Sequence, residues 1–307
     1  MADRSDPYSW LERMARAAQE VNYVGDFAYV RDGVLETMQV VHAVDEQGEH
    51  ERLTTLDGPR REYLRDGGEV RCLLSDENTI SVHEAALDQN FSLEFPRRLG
   101  RLPELYEARL GPQDRVASRV TQIVEVRPTD EYRFGFRLWA DIETGLLLRA
   151  SVLDSNEAVM EQFSFTRIDY PDTVPAEWWR PQDLAEFSDI PDVAQADSEP
   201  REIVAEPDRA EWIIGTLPAG FSQHRHFRRQ SAEGASEHLV FSDGIASVSV
   251  FVEPIANGTA RFVGRSNIGI VNVQSDVVGS HQVTLMGEVP PVTLDAIRAS
   301  LQPVDAR

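Results

Sequence analysis

Apolar positions first recur at helical spacing. Trp10, Leu11, Met14, Ala17, Ala18 and Val21 fall on one face of a helix, which Asp6 or Ser5 is placed to cap and Pro7 to begin. From Tyr23 the period changes to two. Alternating runs predict strands over 26–30, 37–42, 52–56, 61–65, 69–74 and 79–83, divided by turn residues such as Asp32-Gly33 and Asp57-Gly58-Pro59. The stretch 87–111, broken by Pro96 and Pro103, carries no period and reads as helix or loop. Strands resume over 115–126, 132–141, 146–153 and 159–170, with hairpin turns at Glu143-Thr144-Gly145 and Asp154-Ser155-Asn156.

A meander of this length must curl to bury its inner face, so a barrel or half-barrel closed by helices is expected. Its inward candidates are bulky: Phe27, Tyr29, Phe134, Phe136, Phe163 and Phe165, with Trp10 and Met14 from the helix. These side chains either fill a core or line an apolar cavity for acyl chains. A second unit follows, with strands expected over 212–221, 237–242, 245–253, 262–274 and 281–286. Pro290-Pro291 then introduces a helix over 293–301 for which Thr293 is a plausible cap.

Charge separates the two units. Segment 181–208 holds nine acids, several prolines and only Arg201 as a base, the composition of an extended linker. The residues before it carry net −13 and those after it net −1, out of −22 for all 307 residues. Expected boundaries are therefore a large domain over 5–180, a linker over 181–208 and a small domain over 209–304. All thirty basic residues are arginine. So acidic a surface repels phosphate backbones, which argues against nucleic acid as a partner.

No run of about 18 apolar residues is present to span a bilayer. The first residues lack the apolar core of a signal peptide, which fits either a cytosolic start or a mature exported chain. The single cysteine, Cys72, excludes an internal disulfide and is expected as a buried strand thiol.

The chemistry-bearing motifs fall short. His83-Glu84-Ala85-Ala86-Leu87 begins like a zinc-protease helix but has leucine where the second histidine must stand. His224 and His226 are surrounded by Arg225, Arg228 and Arg229, which disfavour a cation. There is no Gly-x-Ser-x-Gly elbow, no Gly-rich loop ending in Gly-Lys and no dinucleotide glycine spacing. The expectation is a protein that is not an enzyme and that holds no metal and no cofactor.

Five stretches together resemble one family: WLERMARAAQEVNYVGDFAYVRDG (10–33), LTTLDGPRREYLRDGGEVRC (53–72), LWADIETGLLLRASVLDSNEAVMEQFSFTRI (138–168), LVFSDGIASVSVFVE (239–253) and MGEVPPVTLDAIRASL (286–301). They are similar, in order and across both units, to the RseB/MucB family, periplasmic negative regulators of sigma-E-type envelope stress signalling. The resemblance implies an α+β protein: a large N-terminal LolA/LolB-like curved antiparallel half-barrel with helices, plus a small C-terminal α+β domain.

It implies further that the chain is periplasmic and binds the periplasmic part of an RseA- or MucA-like anti-sigma factor. It would shield that partner from the site-one protease DegS and be released by lipopolysaccharide or another acyl lipid. Arg60 and Arg61 are then candidates for a lipid head group, against the alternative of a solvated strand end. Arg225, Phe227, Arg228 and Arg229 are candidates for the partner, against a solvated loop. A periplasmic lipid or lipoprotein carrier is the competing reading, and a homo-oligomer is left open.

Overall fold

The computed structural model describes residues 5–59, 61–66, 69–74, 79–81, 97–99, 104–180, 203–204, 211–231, 234–255 and 262–304; of 69–74, 79–81, 203–204 and 230–231 it describes the backbone only. Helix α1, Pro7–Glu20, opens the chain where the apolar spacing places it. Asp6 caps it by accepting from the amides of Tyr8 and Ser9, and Pro7 occupies its first turn. Its buried face is Trp10, Leu11, Met14, Ala15, Ala17 and Ala18.

The first sheet takes β1 (Tyr23–Arg31), β2 (Val34–Asp45), β3 (Gly48–Thr55), β4 (Arg61–Asp66), β5 (Glu69–Leu74), β6 (Thr79–Ser81), β7 (Tyr106–Val116), β8 (Arg119–Pro128), β9 (Gly135–Asp141), β10 (Leu147–Leu153) and β11 (Val159–Asp169). Its order is β6-β5-β4-β3-β2-β1-β11-β10-β9-β8-β7, antiparallel throughout. Two meanders therefore meet where β1 pairs with β11, and the sheet stays open between β6 and β7. Register shifts at Asp26/Phe27, Leu110/Gln113, Leu147/Arg149 and Val152/Leu153 bend it. This is the expected curved half-barrel. Helix α1 lies across β7, β8 and β10. A short helix α2, Ala176–Trp179, packs on β2 and β3, where Trp179 stacks on His50 with ring centres 3.8 Å apart.

The small domain is a second antiparallel sheet over which a helix packs. Its strands are β12 (Ile203–Val204), β14 (Ser222–Ser231), β15 (Gly234–Ser242), β16 (Ser247–Pro254), β17 (Gly264–Ile268), β18 (Val271–Val278) and β19 (His281–Gly287), in the order β12-β14-β15-β16-β19-β18-β17. Helix α3, Pro291–Ser300, packs on β18 and β19. Strands β13 (Trp212–Ile214) and β20 (Leu301–Pro303) pair separately. Val248, Val250 and Val252 alternate inward and meet Leu239, Phe241, Val283, Leu285, Leu294 and Ile297 in one core.

Several elements differ from the sequence expectation. The strand expected over 115–126 is a hairpin, because Ala117 and Ser118 both take positive φ between β7 and β8. The run 262–274 likewise splits into β17 and β18 around Gly269-Ile270. Of 212–221 only Trp212–Ile214 is strand. Strand β14 went unforeseen, because its inward residue is His226 rather than an aliphatic one. Thr293 does not cap α3. Its hydroxyl is spent on the Tyr132 carbonyl, 2.7 Å away, and Pro290 stands at the cap position. Cys72 lies in β5, opposite Tyr63 and Ser81, but its side chain is outside the described residues, as are 82–96 of the expected 79–83 strand end and mid-chain helix or loop.

The two domains share a core. Ile245 and Ile270 of the small domain are buried in the same cluster as Phe27, Phe134, Phe136 and Phe163 of the half-barrel. Arg133, just before β9, crosses the seam with no exposed side-chain surface. Its Nε donates to Asp243, equally buried, at 2.7 Å, while its other nitrogens reach Asp130 and the Ala219 carbonyl. The guanidinium also lies over the rings of Tyr106 and Phe221. On the other side of the seam, Gly269 has φ +59, and a Cβ there would sit 1.8 Å from a Glu161 oxygen. Glycine is required at that turn both by conformation and by space.

Removing one member of a buried ion pair leaves an uncompensated charge. Arg133→Ala is expected to cost about 3–5 kcal/mol in urea unfolding. A loss below ~1 kcal/mol, the scale of an exposed pair, would mean that the seam does not bury this charge.

Candidate functional site

The first candidate is a slot in the concave face of the half-barrel. Ala18 of α1, Tyr23 and Phe27 of β1, Val40 of β2, Leu146 and Leu147 at the start of β10, and Phe163 and Phe165 of β11 wall it; Glu51 and Arg97 stand at its polar end. The rings interlock at 5.7 Å for Phe27 and Phe165 and 6.4 Å, edge to face, for Phe163 and Phe165. The cavity measures about 30 Å³, roughly a tenth of the smallest ordinary ligand pocket. An acyl chain enters only if these walls part.

Of the cavity residues expected from sequence, Phe27, Phe163 and Phe165 line this slot. Trp10, Met14, Phe134 and Phe136 are buried in the surrounding core but do not line it, and Tyr29, half-buried, hydrogen-bonds to Glu161. The head-group candidates sit elsewhere. Arg61 is exposed at the start of β4, and Arg60 lies outside the described residues.

The cation at the slot is Arg97. It is half-buried and grips both oxygens of Glu49, one at 2.9 Å. Glu49 in turn meets His42 Nε2 at 3.1 Å, while His42 Nδ1 contacts the Val21 carbonyl at 2.8 Å and its ring stacks on Tyr23. Burial lowers the proton affinity of both Arg97 and His42 and pushes the Tyr23 hydroxyl far above its ordinary value. Sequence reading missed Arg97 because it sits in the stretch without a period. Tyr23 lies two alternation steps before Phe27 on β1, and Val40 lies on β2, from which no cavity residue was expected.

The second candidate is the outer face of the small-domain sheet. Along β14 the inward residue is His226, whose Nε2 lies 2.8 Å from Glu237 in a buried pair. Arg225, Phe227 and Arg229 therefore project from the opposite face. Phe227 meets the His238 ring at 5.4 Å, and His238 stacks on Phe251 at 4.1 Å and 14°. His238 Nε2 is 3.0 Å from the Ser249 hydroxyl. The result is an aromatic row across β14, β15 and β16, flanked by Arg225 and Arg229, both exposed and neither with an acidic partner among the described residues.

Arg228 is not part of that row: it points the other way and pairs with Glu211. Three of the four partner candidates thus share a face and the fourth does not. His238 and Phe251 join them through cross-strand register, legible only once β14 is known to be a strand. Among the described residues no group of three or more His, Cys, Asp or Glu converges as a metal site would. The His83–Leu87 segment lies outside them.

Two family models match the chain in succession: the MucB/RseB N-terminal domain over residues 6–183 and the MucB/RseB C-terminal domain over 206–302. The chain belongs to the MucB/RseB family. It is similar to the sigma factor AlgU regulatory protein MucB of Pseudomonas aeruginosa, at 33% identity over 98% of this chain and 92% of MucB. It is also similar to the sigma-E factor regulatory protein RseB of Salmonella typhimurium, at 28% identity over 97% and 92% of the two chains. Among solved structures, the MucB chain of a Pseudomonas aeruginosa MucA/MucB complex aligns over 98% of this chain and 100% of its own, with a TM-score of 0.75 and 30% identity. Both MucB/RseB domains are thus present, and the relatives are named as regulators of sigma factors.

Burial, and secondarily the nearby His226, push the His238 imidazole down to about 4. Its folded proton affinity is below the ordinary value of 6.5, so the unfolded chain binds the proton more readily. Stability should fall as pH drops from about 6.5 towards 4. His238→Phe, which keeps the stack, is expected to flatten that part of the pH–stability curve. A curve unchanged by the substitution would show that His238 does not carry it.

Proposed function

We propose that this chain binds the periplasmic domain of a membrane anti-sigma factor, protects it from site-one proteolysis, and is released by lipopolysaccharide-type lipid in the periplasm. The observation that carries the reading is the likeness, over 98% of the chain, to a MucB solved together with MucA. In this reading the outer face of the small-domain sheet receives the partner. Its aromatic row and two exposed arginines have the composition of interface anchors. In a chain of net charge −22 they also form a place where an approaching partner is not repelled.

The half-barrel takes the lipid. Phe27, Phe163 and Phe165 part to admit acyl chains, and Arg97 meets an acidic head group. Because Arg97 is bound to Glu49, an anion there competes with a carboxylate already in place. Lipid entry therefore disturbs the Glu49–His42 contact as well as the apolar walls.

The test is binding of the matching anti-sigma periplasmic domain to the whole chain and to an Arg225→Glu, Arg229→Glu double variant. The variant should bind at least about tenfold more weakly, or ~1.4 kcal/mol, with binding of an acyl-chain probe unchanged. The wild-type chain should also slow cleavage of the anti-sigma domain by DegS. Equal affinity of variant and wild type at low salt, where a charge contact is strongest, would move the interface off this face. Unchanged cleavage would remove the protective role.

A further inference from the structure

The seam between the domains contains a cluster of carboxylates that neither the lipid nor the partner reading uses. Glu161, in β11, is 2% exposed, an unusual place for a carboxylate. One of its oxygens accepts from the Ile270 amide of the small domain at 2.9 Å, and the other accepts from the Tyr29 hydroxyl of β1. Beside it, Asp32 accepts from the Gly269 amide at 2.6 Å. Two acidic side chains of the half-barrel thus grip the β17–β18 turn whose Ile270 plugs the shared core.

A third carboxylate near this turn belongs to the small domain. Register pairs Asn272 with Gly287, so Glu288 follows directly beside the gripped turn. Glu36 lies opposite Tyr29 on β2. The cations near this end of the seam are Arg31, over the Tyr29 ring and against Gly269, and Arg98, which donates to the Ile245 carbonyl. Three carboxylates, Glu161, Asp32 and Glu288, therefore gather at this turn beside two guanidiniums, and Glu161 and Glu288 come from opposite domains. We propose that Glu161 and Glu288 form a proton-controlled latch between the domains, which holds while Glu288 is protonated and slackens when it ionises.

The sign follows from the surroundings. Burial first, then the charge of Glu161, raise Glu288 from an ordinary 4.5 to about 7, with Arg98 opposing. Separating the domains returns Glu288 to water and to its ordinary range. The docked state therefore binds a proton that the undocked state releases across pH 4.5 to 7, and docking weakens as pH rises through that window. Acid tightens the seam, and neutral to alkaline pH loosens it.

Hydrogen exchange of the full chain tests this, with amide rates corrected for the intrinsic effect of pH. In the wild type, the seam turn 264–275 should open at least about tenfold more often at pH 8.5 than at pH 5.5, while Leu147–Leu153 of the half-barrel core stays protected. Glu288→Gln, neutral at every pH, should hold the turn closed at both. Equal protection of the wild-type turn at the two pH values would overturn the latch, as would a tenfold pH effect surviving in Glu288→Gln. Opening of Leu147–Leu153 in step with the turn would also overturn it, since the effect would then be global. Should Glu288→Gln fail to fold, Glu161→Gln, which keeps an acceptor for the Ile270 amide, should raise the pH at which Glu288 can stay docked as an anion's repulsion is lost, so that the turn opens less at pH 8.5. No change from wild type there would contradict the proposal.

Discussion

The Arg133 guanidinium, held without exposed surface between Asp130, Asp243 and the Ala219 carbonyl, is the interaction on which the two-domain arrangement depends. A buried cation is tolerated only when its donors are matched, and its partners come from both domains. The seam built around it lets Ile245 and Ile270 join the half-barrel core. The small domain is consequently a wall of the large one. Movement at the seam changes the packing of the half-barrel core, and parting that core disturbs the seam.

That continuity gives the proposed regulator a physical route from lipid to partner. Phe163 and Phe165, which wall the slot, lie on the same strand as Glu161, which grips the Ile270 turn. Alternation puts all three on one face of β11. Parting the aromatic walls therefore pulls on the strand that holds the small domain. The partner face lies on the same sheet as that turn, several strands away from it. The coupling is one of packed elements that shift together, and needs no long-range charge.

Much of the fold was legible in the sequence because strands such as β1, β15 and β16 alternate with a period of two and the first helix repeats with a period of 3.6. The helix at Trp10–Val21, the run of strands from Tyr23 to Leu74 and the valine alternation of 248–252 all follow from that. What was hidden lacked a local signal. The Ala117-Ser118 turn uses residues that do not announce positive φ, and β14 conceals its inward position behind a histidine paired with Glu237. The candidate site was legible in part for the same reason. Phe27, Phe163 and Phe165 declared themselves by alternation. Arg97, Glu49 and His42 come together only through tertiary packing, as do the contacts of Arg133 and Glu161 across the seam. Resemblance to the MucB/RseB family supplied what periodicity could not, namely the kind of work a two-domain fold of this type performs.

In the proposed function, lipid held by the half-barrel and an anti-sigma partner held by the small domain exclude one another through the shared seam. The most direct measurement is displacement from a preformed complex of this chain with the matching anti-sigma periplasmic domain, followed by fluorescence anisotropy of the labelled partner during titration with purified lipopolysaccharide. Anisotropy should fall to the free-partner value as lipid saturates the chain, with no fall for lipid stripped of its acyl chains. A complex that stays intact while lipid binds the same chain would contradict it.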